Sequence, residues 1–98
     1  MSATVIVKND RCTGEYDMFD VHSVELEGEM QSAVLSGPLF LEIGEMLTLR
    51  LASGKEKLDF VAKVLSVASS DSLMTVRLVD LDKRGRTFLS QLKLTDKS

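Results

Sequence analysis

Apolar and polar residues alternate along most of this chain, and the alternation is broken at short intervals by turn-forming residues. A period of two is the mark of strands with one buried face. Thr4-Val5-Ile6-Val7-Lys8 predicts a short strand, stopped by Asn9-Asp10 and by the turn-prone pair Thr13-Gly14. Phe19 and Val21 then fall on one parity, whereas Val24 and Leu26 fall on the other. A parity change inside one strand predicts a bulge or corner near His22-Ser23, because a slip of one residue exchanges the two faces. Glu27-Gly28-Glu29 predicts a turn, Met30, Ser32 and Val34 share the next face, and Ser36-Gly37-Pro38 is the strongest break in the chain.

Leu39, Leu41 and Ile43 predict a further alternating strand, closed by Gly44-Glu45. Leu47, Leu49 and Leu51 form the inward face of the next strand, opposite Met46, Thr48 and Arg50. Ala52-Ser53-Gly54-Lys55 is a hairpin turn leading to Leu58, Phe60, Ala62 and Val64. Val61, Leu65 and Val67 make the second face of that strand apolar as well, which predicts cover on both sides. After the loop Ser69–Ser72, residues Leu73 to Val79 predict a last strand with Met74, Val76 and Leu78 on one face.

The period changes at Leu81. Leu81, Phe88, Leu89 and Leu92 lie at offsets of 0, 7, 8 and 11, one stripe of an amphipathic helix. Asp80 or Asp82 can cap its start by accepting from an orphan amide, and Gly85 weakens its first turn by about 1 kcal/mol relative to alanine. The expected fold is mainly β: a small six-stranded antiparallel β-barrel, closed or nearly so, with a C-terminal α-helix that plugs one end or covers an edge. Residues 1–98 read as a single domain, within which Met1 to Tyr16 is either an additional strand or a flexible lead-in.

Composition narrows the function classes. With 44% hydrophobic and 28% charged residues the chain has the make-up of a globular domain, and a formal net charge of −3 gives no general attraction to duplex nucleic acid. No apolar run approaches a membrane span or a secretory leader, and Cys12 is the only cysteine, so the expected setting is the reducing cytoplasm.

Catalytic groups are sparse. His22 is the sole histidine and stands beside no serine or cysteine in a nucleophilic arrangement. Cys12 and His22 together are too few for zinc. Glu25, Glu27 and Glu29 read as a solvated face, and neither a phosphate loop nor a dinucleotide fingerprint occurs. The expectation is a protein that is not an enzyme and needs no cofactor.

Three stretches carry a family resemblance. Ser36-Gly-Pro-Leu-Phe-Leu-Glu-Ile-Gly-Glu-Met-Leu-Thr-Leu-Arg-Leu51 resembles the middle of PilZ domains, where a glycine turn, a strand, a Gly-Asp/Glu turn and an alternating strand follow one another. Asp59-Phe-Val-Ala-Lys-Val-Leu-Ser-Val67 is similar to the next strand of that family, and Val76 to Leu92 to its closing strand and helix. The resemblance spans residues 24–94 and implies the six-stranded barrel of a bacterial regulator. It also supplies a ligand to consider, because many PilZ domains bind cyclic di-GMP through an R-x-x-x-R segment and a later D/N-x-S-x-x-G. Guanidinium forks suit guanine edges and phosphates, and the glycine lets the backbone come close.

Here both signatures are degenerate. Arg11 is followed four residues later by Glu15, a reversal of charge, and the second signature falls on Ser32-Ala-Val-Leu-Ser-Gly37, where Val34 replaces the serine. An unpaired polar group on the ligand side costs about 1–3 kcal/mol. The residues that would touch cyclic di-GMP, if it binds, are Arg11, Ser32, Ser36 and Gly37. Against that stand a solvated arginine and a turn glycine required by Gly37-Pro38.

Lys83, Arg84 and Arg86 crowd the start of the predicted helix, where the macrodipole disfavours cations. They read either as a solvated face or as a basic edge for an acidic partner. The resemblance thus implies an adaptor working through another protein of a bacterial signalling, pilus or motility system, without tight nucleotide binding. The alternatives are a genuine cyclic di-GMP receptor using Arg11 and Gly37, and a structural β-domain of a flagellar-switch-like assembly.

Overall fold

The alternating segments become six antiparallel strands in the computed structural model, which describes residues 1–26 and 31–92. They are β1 (Ser2–Lys8), β2 (Thr13–Glu25), β3 (Ser32–Ser36), β4 (Met46–Ser53), β5 (Glu56–Ala68) and β6 (Leu73–Val79), followed by one helix, α1 (Lys83–Ser90). The strands close into a barrel in the order β1-β2-β3-β6-β5-β4. Closure leaves no strand edge to pair with other chains. The inward positions supply the core: Val5 and Val7 of β1, Phe19 and Val21 of β2, Leu35 of β3, Leu47, Leu49 and Leu51 of β4, Phe60, Ala62 and Val64 of β5, and Met74, Val76 and Leu78 of β6. The expected mainly β barrel with a terminal helix is the observed one.

Two 13-residue strands make closure possible. β2 pairs with β1 through Asp20 and with β3 from Asp20 onward, and β5 pairs with β4 up to Lys63 and with β6 from Val61 onward. Each long strand is bulged where it changes partner, between Val21 and Ser23 in β2 and between Val64 and Ser66 in β5. A bulge inserts one residue, bends the strand and moves later side chains to the other parity. That accounts for the switch from Phe19 and Val21 to Val24 and Leu26, all four of which pack on the core.

The same device corrects the expectation of a doubly covered β5. Val67 reaches the core only because it follows the bulge, whereas Val61 on the outer face is 45% exposed. Three other expectations change. Residues 1–16 form β1 and the start of β2, the additional-strand reading of that segment, but with Thr13 paired to Lys8 and Gly14 to Val7 the turn lies at Asn9–Cys12 instead of Thr13-Gly14. Leu39, Leu41 and Ile43 do not form a strand. Leu41 is buried and Leu39 and Phe40 pack against the core, but Ile43 is 67% exposed in a turn, where the Glu45 amide donates to the Glu42 carbonyl at 3.0 Å. Gly85, expected to loosen the helix, is buried in it. The expected turn Glu27-Gly28-Glu29, with Met30, lies outside the described residues.

The helix begins after Asp82, whose side chain accepts from the Gly85 amide at 2.7 Å, and it buries Phe88 and Leu89. The rings of Phe88 and Phe60 lie 6.0 Å apart, which fixes α1 to β5. Of the expected stripe, Leu81 precedes the cap and Leu92 follows Gln91, both half-buried against the same core.

Candidate functional site

The residues singled out by the sequence fall into two regions of the barrel. Arg11 and Gly37 lie at one of them. Asn9 opens the β1–β2 connection, and its side-chain oxygen accepts from the amides of Arg11 at 2.9 Å and Cys12 at 2.8 Å, an Asx-type turn. This turn aims Arg11 at the loop 37–45. The guanidinium donates through Nε to Oε2 of Glu45 at 3.0 Å and through Nη2 both to Oε1 of Glu45 and to the Phe40 carbonyl, the latter at 2.7 Å. Oε1 of Glu45 also accepts from the Glu42 amide at 2.7 Å. A forked, charge-assisted contact of this kind fixes both partners.

The electrostatics follow from those bonds. The Arg11 guanidinium holds the Glu45 carboxylate below the usual glutamate range, with the Glu42 amide adding to the effect and partial burial opposing it. Around the clamp the rings of Tyr16 and Phe40 lie 4.6 Å apart and those of Phe19 and Phe40 6.1 Å apart. Gly37 backs onto Phe19 and donates its amide to the Ser72 carbonyl at 3.1 Å.

Ser32 and Ser36 are on the outer face of β3, alternating with buried Ala33 and Leu35. Directly paired residues share a face. Ser36 is paired with Asp20 of β2 and Leu73 of β6, a poor setting for a phosphate, whereas Ser32 lies between Glu25 of β2 and Arg77 of β6. The four candidate dinucleotide contacts thus divide into a committed arginine, a packing glycine, one serine beside an acid and one between an acid and a cation.

The helix cations are also partly engaged. Arg86 donates to the Leu26 carbonyl at 3.2 Å, tying α1 to the end of β2, and Arg84 stands 3.8 Å from Glu56 in an exposed pair. Lys83 is exposed. His22 is exposed at the β2 bulge and Cys12 half-buried at the other end of that strand, so the two are not brought together. Among the described residues no group of three His, Cys, Asp or Glu is placed to hold a metal ion, and no helix is long and apolar enough to cross a membrane. Glu27 and Glu29 lie outside the described residues.

Sequence reasoning missed the partners of Arg11. The Asx turn at Asn9 has a local signature, but Glu45 and Phe40 are brought in by tertiary packing of a loop that resembles a strand. It also missed the outer-face pair Arg50–Asp59, bonded at 2.8 and 3.1 Å across β4 and β5, which holds Asp59 below the usual carboxylate range. No known family model, curated protein or solved structure matches the chain.

Proposed function

We propose that this chain is a non-enzymatic PilZ-type adaptor that acts by protein–protein contact in a bacterial signalling, pilus or motility system, without binding cyclic di-GMP tightly. The observation that carries this reading is the commitment of Arg11. Its fork is closed on Glu45 and Phe40, so a dinucleotide would have to break that clamp before it met the Arg11 guanidinium. The carboxylate beside Ser36 and the apolar Val34 weigh in the same direction. Closure of the barrel by strands of one chain favours a self-contained adaptor over a switch-type module completed by a second copy.

Titration calorimetry with cyclic di-GMP tests the reading. No saturable heat is expected through the micromolar range, which corresponds to roughly −8 kcal/mol of binding. A saturable micromolar isotherm that is lost in Arg11→Ala would overturn it and restore the receptor alternative.

A further inference from the structure

The barrel carries a largely apolar row on its outside that the core does not use. Ile6 of β1 pairs with Thr48 of β4, Thr48 with Val61 of β5, and Val61 with Val79 of β6, so one outward row crosses four strands. Val61 and the neighbouring Met46 are each 45% exposed. Single exposed apolar residues are ordinary, and β-branched side chains favour strands wherever they point. A row of Ile6, Val61 and Val79 interrupted only by Thr48 is different, because a solvated antiparallel face is expected to be polar along its length.

Charge is distributed unequally beside this row. On one side Arg50 is taken up by Asp59. On the other, Lys63 is paired directly with Arg77, and among the described residues neither makes an ion pair. Like charges directly opposite each other destabilise a sheet pair, and an anion placed between them removes the penalty. Lys8 lies beside Met46 and Val61 in a shallow groove of about 170 Å³. Met46, Lys63, Arg77 and Val79 line a second groove of about 460 Å³, in which Asp80 is the one carboxylate among the described lining residues.

We infer that this strip of β1, β4, β5 and β6 is the docking surface for an acidic amphipathic helix of a partner protein. Three inter-strand steps of about 4.8 Å give a row of roughly 15 Å, the length of about ten helical residues. The Arg50–Asp59 and Lys63–Arg77 rows lie about 13 Å apart by strand rise, which admits one helix between them. Leucine-like anchors at i, i+7 and i+10 would lie on Ile6, Val61 and Val79, with the i+3 side chain over Thr48 and carboxylates meeting Lys63, Arg77 and Lys8. The inference rests on the adaptor reading and replaces the helix cations with a strand surface as the place of contact.

The test uses the whole chain labelled with ¹⁵N and a stapled helical peptide of about fourteen residues, with leucines at i, i+3, i+7 and i+10 and glutamates between. Amide shifts are expected at Ile6, Thr48, Val61, Lys63, Arg77 and Val79, and a counterpart peptide with lysines should not bind. Lys63→Glu converts the like pair into an opposite pair, so it should raise thermal stability while weakening the peptide at least tenfold, about 1.4 kcal/mol. Val61→Glu should weaken it similarly.

Equal binding of the two peptides, or shifts confined to other strands, would overturn the inference. So would a concentration-dependent dimer that masks the same amides, or Lys63-dependent binding to phosphatidylserine vesicles in place of the acidic peptide. Such failures with a silent cyclic di-GMP titration remove the strip and leave the adaptor. A saturable nucleotide isotherm with intact peptide binding removes the nucleotide-free reading instead.

Discussion

Gly37 lies so close to Phe19 that a methyl group added to it would stand 2.6 Å from Cδ2 of the ring. Phe19 is 1% exposed and in contact with the core of the barrel, so it has no room to withdraw. The glycine that matches the last position of a ligand signature is therefore required by packing. Gly37→Ala is expected to lower stability by about 1–3 kcal/mol, the usual cost of overpacking. The measurement is the urea midpoint at unchanged m-value. A midpoint equal to wild type would return Gly37 to the list of residues kept for a ligand.

Gly85 makes the same point on the helix. Alanine there gains about 1 kcal/mol of helix propensity. Its methyl group would lie 2.9 Å from both Cδ1 of Leu81 and Cε2 of Phe60. The leucine end can rotate away, but Phe60 is buried and packed on Phe88. Packing should win, and Gly85→Ala is expected to destabilise by about 1 kcal/mol net, read as a fall in melting temperature.

How much of this was legible in the sequence depends on how far each determinant lies along the chain. Leu73 to Val79 is read with its exact ends, because a strand with one buried face carries its own period. The β2 bulge is legible as a change of parity, since the inserted residue displaces every later side chain. The 37–45 loop is misread for the converse reason. Leu39, Leu41 and Ile43 alternate, but the Glu42–Glu45 turn and the clamp from Arg11 fold the segment over the ring of Tyr16. Those contacts join residues 29 and 34 positions apart, and no local pattern announces them. Ionic pairing on the barrel exterior was invisible for the same reason, because Arg50 and Asp59 meet only once the β4–β5 register is set.

β3 offers a test of that register. Leu35 is fully buried, whereas Val34 faces outward, paired with Ser23 and Thr75. Leu35→Ala should cost about 2–5 kcal/mol by leaving a cavity, and Val34→Ala about 1 kcal/mol or less. Chemical denaturation of the two variants compares them directly, and a reversed order would mean that the strand is shifted by one residue.

The clamp at Arg11 makes the 37–45 loop sensitive to acid. Glu45 is held below its usual range chiefly by the hydrogen-bonded guanidinium, so the folded state binds its proton less readily than the unfolded chain does. Its contribution is complete at neutral pH, persists down to about pH 4.3, and is lost as pH falls further through the lowered folded value. Tyr16 is the only tyrosine and the chain has no tryptophan, so its fluorescence reports on the Phe40 ring that the loop places 4.6 Å away. The expected outcome is a change in that fluorescence below about pH 4.3 that precedes loss of the far-ultraviolet strand signal. Glu45→Gln removes the carboxylate but keeps its shape, so the released signal should already be present at pH 7 and the acid step should vanish. Asp59 also titrates low, but its partner is Arg50, so it cannot produce a step that depends on Glu45. An acid step unchanged in Glu45→Gln would show that Arg11 does not hold the loop, and the guanidinium would again be free to receive a ligand.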